Sequence, residues 1–176
     1  MDARHSALAQ ADQRAARAAV VTDRELTITR IFDAPRELVF KAWTDPTHLV
    51  QWYAPHGCTL RIDEFDLRPG GVLCFYLRNP NDHDCRCKGI FREIAVPERI
   101  VHTLFHADQD GNLVEPAEAG TDPDWPRETI VTVSFAEQDG KTQVTLHHTV
   151  LESIAKRTGA YQGWSEILDR LADYLP

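Results

Sequence analysis

Eight histidines and four cysteines are the side chains in this sequence best suited to metal binding, proton transfer or nucleophilic attack. His102 and His106 are four residues apart, so on a strand they face the same side. His148 shares a face with Val144 and Leu146. In a run of consecutive antiparallel strands, one whole strand separates His102 from His148, which places their backbones about 9.6 Å apart. Zinc takes ligand nitrogens at about 2.0–2.1 Å, so convergence would need strong curvature. The sequence contains neither His-Glu-x-x-His nor a pair of Cys-x-x-Cys motifs. The expectation is therefore no metal and no cofactor, with the histidines lining a cavity or hydrogen-bonded in the core. Cys85 and Cys87 also share a strand face, and a hairpin near residues 79–84 gives Cys74 the same parity on the neighbouring strand. Such a set could serve a soft metal or redox chemistry. Two cysteines separated by two on a strand bridge poorly, however, and they read more simply as small packing residues.

Covalent catalysis finds little support. There is no Gly-x-Ser-x-Gly, and Ser134, Ser153 and Ser165 have no base at a recognisable spacing. No phosphate-cradling Gly-x-x-x-x-Gly-Lys-Ser/Thr is present. Asp63 and Asp66 read as a solvated face, and Asp63 and Glu64 point to opposite sides of their strand. The best candidates for lining a ligand site are aromatic. Trp43 and Trp52 come from two short helices, Phe75 from a strand, and Tyr161 and Trp164 from a long helix. They either line a cavity or fill it. His102, Leu104 and His148 complete the candidate lining. Arg30 sits in the apolar register of Ile28 and Phe32, where it either snorkels to the sheet edge or anchors an acidic group.

Period-two alternation from Glu25 reads as a strand that Ala34-Pro35 stops, with Pro35 in the first turn of a helix capped by Asp33 or Ala34. Asp45-Pro46 opens a second short helix ending near Pro55 and Gly57. Strands are expected over 59–66, 72–78, 85–95 and 100–106. Residues 107–126 form an acidic, turn-rich excursion. Strands over 129–137 and 142–150 follow, turning at Asp139-Gly140. Tyr161, Trp164, Leu168, Leu171 and Leu175 then form one apolar stripe of a long helix. Gly159 and Gly163 near that helix either allow another backbone to approach or leave room for a ligand. A pocket mouth is expected between the two short helices, the loop after His106 and the start of the long helix. Residues 1–22 read as an Ala-rich helical extension, marginal alone and in need of a covering surface such as a second copy of the chain.

The fold class is α+β: a curved antiparallel sheet of about seven strands wraps the C-terminal helix, with two short helices between strands 1 and 2. At 176 residues one domain, 24–176, accounts for the chain beyond the extension. The formal net charge of −8 argues against nucleic acid as a partner. No apolar run approaches the ~20 residues that span a bilayer. The four cysteines and the absence of a signal-peptide pattern point to a reducing, cytoplasmic setting.

Several segments carry a family resemblance when taken in order: TRIFDAPRELVFKAWTDPTHLVQWYAP (29–55), RPGGVLCFYLRNPND (68–82), GIFREIAVPERIVHT (89–103), PDWPRETIVTVSF (123–135), GKTQVTLHH (140–148) and GAYQGWSEILDRLADYL (159–175). This series resembles the START-like, helix-grip (SRPBCC) superfamily. More narrowly, it is similar to domains homologous to the C-terminal domain of the activator of heat-shock protein 90 ATPase. The resemblance implies binding of a hydrophobic small molecule in the cavity, or a co-chaperone partnership with an ATPase. An enzyme or enzyme subunit is a weaker implication, because the superfamily hosts many activities.

Overall fold

Leu26, Ile28 and Phe32 bury on one side of an extended segment while their neighbours stay outward, which makes β1, Glu25–Phe32. The computed structural model describes residues 23–81 and 83–176, so the helical extension expected over 1–22 lies outside the described residues. Pro35 is itself the N-cap of α1, Arg36–Thr44, rather than a first-turn residue behind Asp33 or Ala34. Its fixed φ suits either side of the boundary, and its carbonyl accepts from the amides of Leu38 and Val39. Asp45 caps α2, Pro46–Trp52, by accepting from the Thr47 amide at 2.9 Å.

Six further strands follow: β2 Thr59–Phe65, β3 Val72–Arg78, β4 Cys85–Ala95, β5 Arg99–His106, β6 Thr129–Gln138 and β7 Lys141–Leu151. They form one antiparallel sheet in the order β1-β7-β6-β5-β4-β3-β2, so β1 and β2 are its two edges. A bulge between Phe91 and Glu93 shifts the β4–β5 register by one residue. Two helices end the chain, α3 at Glu152–Arg157 and α4 at Ala160–Tyr174. The shorter α3 is additional to the single long helix expected from the apolar stripe. Gly159 adopts a left-handed φ of +81°, which breaks the helix there. A Cβ at Gly163 would lie 3.5 Å from the Pro55 ring, an ordinary van der Waals contact, so the approach there does not require glycine.

Trp164, Ile167, Leu168 and Leu171 are the buried stripe of α4. Arg170 ties the same helix to the end of α2, donating to the carbonyls of Gln51 and Ala54 at 3.0 and 2.8 Å. One buried hydrogen-bond chain joins α4 to the sheet. The Trp164 indole N–H donates to His148 Nδ1 at 3.1 Å. His148 Nε2–H donates to Thr129 Oγ1 at 2.8 Å, and Thr129 donates onward to the Leu104 carbonyl at 3.1 Å. That direction of donation requires neutral imidazole with its proton on Nε2. Burial, with the nearby His102 and His147 adding charge repulsion, pushes the His148 pKa down to about 3.

Two outcomes follow from this helix–sheet contact. Trp164→Ala should cost about 3–5 kcal/mol in denaturant melts, through the cavity it leaves and the orphaned His148 acceptor. The His148 pKa is lower in the folded state than its value near 6.5 in the unfolded chain. Its contribution to stability is therefore fully present above pH 6.5 and is lost as pH falls towards 3. Between pH 6.5 and 5 the fall should be about 2 kcal/mol from this residue. His148→Gln, which keeps an acceptor but cannot titrate, should flatten the profile measured by urea denaturation.

Candidate functional site

Between the sheet and the helices the aromatic side chains meet edge to face. Trp43 packs on Trp52 at 4.8 Å and on Tyr53 at 5.8 Å between ring centres. Tyr53 reaches Phe75 at 5.8 Å and Trp164 at 5.7 Å. Trp52 is fully buried, and its N–H donates to the Ala42 carbonyl. This packing leaves a small, partly open cavity of about 30 Å³, walled by Trp43, Tyr53, Phe75, Phe91 and His102 among others. That volume is about the share of one water molecule in the liquid. The buried Trp43 indole N–H at its edge has no acceptor among the described residues.

A much larger space opens at the end of the sheet. Here a cleft of about 1030 Å³ lies between the ends of β2–β5, the 107–126 segment and the α3–α4 junction. Its lining includes Tyr76, Cys85, His106, Val114, Ala119, Thr121 and Arg157. The acidic segment is tied down rather than loose. Arg157 holds Asp122 through two hydrogen bonds of 2.8 and 2.9 Å and Asp124 through a third at 2.8 Å. Trp125 packs against the His148 ring at 5.7 Å. On the opposite wall, the Tyr76 hydroxyl donates to Asp84 at 2.7 Å, and the Arg61 guanidinium lies 4.9 Å from the Tyr76 ring centre.

The cleft contains a cluster that strand parity alone did not assemble. Cys87 pairs with His106 across β4 and β5. Cys85 Sγ lies 3.2 Å from Cys87 Sγ and 3.3 Å from His106 Nδ1. The other ring nitrogen of His106 meets Thr121 Oγ1 at 3.1 Å. The hydrogen bond from Cys87, aided by His106 and opposed by burial, pulls the Cys85 thiol below the usual thiol range. The same contact, with burial, pushes Cys87 up.

The residues singled out in the sequence divide between these places. Trp43, Phe75 and His102 wall the small interior cavity. His102 Nδ1 is engaged with the Thr103 carbonyl at 2.8 Å, and burial lowers its pKa. Val131 stands opposite both His102 and His148, so one strand separates the two histidines as expected. His148 and Trp164 are bonded to one another. Leu104 is half-buried against the core, as is Tyr161, whose ring lies 5.3 Å from Lys156 Nζ. Arg30 is on edge strand β1, with its Nη1 on the neighbouring Thr29 carbonyl. The large cleft adjoins the loop after His106 and the end of α3 at Arg157 and Thr158, and no residue of α4 is part of its lining. Its other wall is the β2–β4 edge rather than the two short helices, whose residues wall the small interior cavity instead.

Comparison with known proteins bears on both fold and family. No curated protein matches the sequence. A solved structure from Mycobacterium smegmatis superposes with a TM-score of 0.72 at 23% identity, covering 88% of this chain and 91% of that one. A solution structure from Staphylococcus epidermidis gives 0.70 at 25% identity, covering 88% and 90%. An AHSA1 protein from Silicibacter pomeroyi gives 0.68 at 21%, covering 86% and 97%. The family model described as "Activator of Hsp90 ATPase homolog 1-like protein" matches residues 33–176, nearly the whole described fold from the end of β1 onward. The chain belongs to the Activator of Hsp90 ATPase homolog 1-like family, within the START-like (SRPBCC) fold.

Proposed function

We propose that this chain is a non-enzymatic domain that binds an amphipathic small molecule at the mouth of the grip. The observation that carries the reading is the contrast in space: about 1030 Å³ in the open cleft against about 30 Å³ in the interior. Ligand sites usually occupy roughly 300–1,000 Å³. A tail of more than an atom or two would enter the interior only if the Trp43–Tyr53–Phe75 packing moved. The ligand therefore rests its apolar part against Val114 and Ala119 and its polar end near Tyr76, His106 and Arg157. Trp43, Phe75 and His102 form the wall behind it rather than its bed. All four cysteines are free thiols, which supports a cytoplasmic setting. None of the described helices is long and apolar enough to cross a membrane.

The family description favours a second reading, in which the domain binds a heat-shock ATPase as a co-chaperone. Its surface would have to come from exposed apolar residues such as Val96, Ile31 and Leu151, which lie on the β4–β5 turn, β1 and the end of β7.

Isothermal titration with dodecanoate, extended to a panel of amphipathic carboxylates and alcohols, separates the two. The first reading expects saturable one-to-one binding that Ala119→Trp weakens at least tenfold without changing the melting temperature. No binding across the panel, or equal binding by Ala119→Trp, would overturn it. Capture of the host's own heat-shock ATPase and stimulation of its turnover would then establish the second.

A further inference from the structure

We propose that Cys85, Cys87 and His106 form a site for one thiophilic d¹⁰ cation of the zinc class, set in the floor of the cleft. The inference is independent of the small-molecule reading, because the metal alone tests it. It departs from the sequence-based expectation of no metal, which weighed the cysteines and histidines separately.

The three potential ligand atoms, Cys85 Sγ, Cys87 Sγ and one ring nitrogen of His106, all lie within 4.8 Å of one another. Zinc bonds sulfur at about 2.3 Å and nitrogen at about 2.0–2.1 Å, so one ion can reach all three. Tetrahedral angles put two bound sulfurs roughly 3.8 Å apart. The observed 3.2 Å therefore has to open by little more than half an ångström, a small side-chain rotation.

The supporting group is also in place. His106 Nε2 faces Thr121 Oγ1 at 3.1 Å, which holds the ring with Nδ1 turned to Cys85. If Nε2–H donates to that hydroxyl, the Nδ1 lone pair is left for the metal, the outer-sphere arrangement that metal-bound histidines use. Cys85 and His106 line the cleft while Cys87 is buried behind them. Three protein ligands leave one coordination position for water or an anionic group from the cleft, as in open Cys₂His zinc sites.

Packing alone also explains the cysteines, so the test must separate packing from ligation. The full chain is purified metal-free in a non-thiol reductant and titrated with Zn²⁺, then separately with Co²⁺ under absorption. The expected result is one equivalent bound, with sulfur-to-cobalt charge-transfer bands. Cys85→Ser and His106→Phe should each weaken binding at least tenfold and remove or reduce those bands. Thr121→Val, which touches no metal, should weaken it about tenfold through the His106 ring while the metal-free melting temperature is kept. Cys58→Ser should change nothing, and it keeps the comparison valid if a cluster variant folds poorly. Binding that survives both Cys85→Ser and His106→Phe, or no binding by the folded wild-type chain, would overturn the site.

Discussion

The structure depends most on one buried contact between helix and sheet, the chain from Trp164 through His148 and Thr129 to the Leu104 carbonyl. A sheet with an apolar concave face must be covered, and α4 is the only described helix long enough to cover it. Apolar burial supplies the drive but no particular register. The hydrogen-bond chain supplies register, because each donor in it is matched to a specific acceptor. Desolvation keeps the imidazole neutral, and neutrality keeps the chain intact.

That contact also decides where a ligand can go. With Trp164 fixed, Tyr53 packs against it, and Phe75 and Trp43 pack against Tyr53. The aromatic relay fills the space that the curved sheet encloses. What remains open is the end of the grip, where the 107–126 segment is lashed to α3 by Arg157 and to the core by Trp125 on His148. The filled interior and the open mouth are thus two consequences of one packing solution. The thiol–imidazole cluster sits where they meet.

The strands, their order and the covering helix were legible because alternation, turn residues and the apolar stripe of α4 all point one way. Register within a hairpin was less so. Counting back from the Pro97-Glu98 turn without interruption sets Ala107 opposite Cys87 and turns His106 to the other face. The bulge between Phe91 and Glu93 moves the pairing by one and brings His106 to Cys87. Nothing in the local sequence marks that extra residue, so the cysteines and His106 were read apart. Gly159 misled for a related reason: its type suggested close approach, whereas its left-handed φ ends α3. Whether the aromatics line or fill a cavity depends on distances that composition does not carry.

Binding at the mouth that leaves the interior packing alone has a spectroscopic signature. Nitrogen-15 correlation spectra recorded while dodecanoate is added read it out, because the indole N–H groups of Trp43 and Trp164 report on the interior. The expected shifts are confined to backbone amides around residues 83–86, 106–108, 114–121 and 157–158, with both indole resonances unmoved. Movement of the Trp43 and Trp164 indole signals with a quiet mouth would place the ligand between sheet and helix and contradict it.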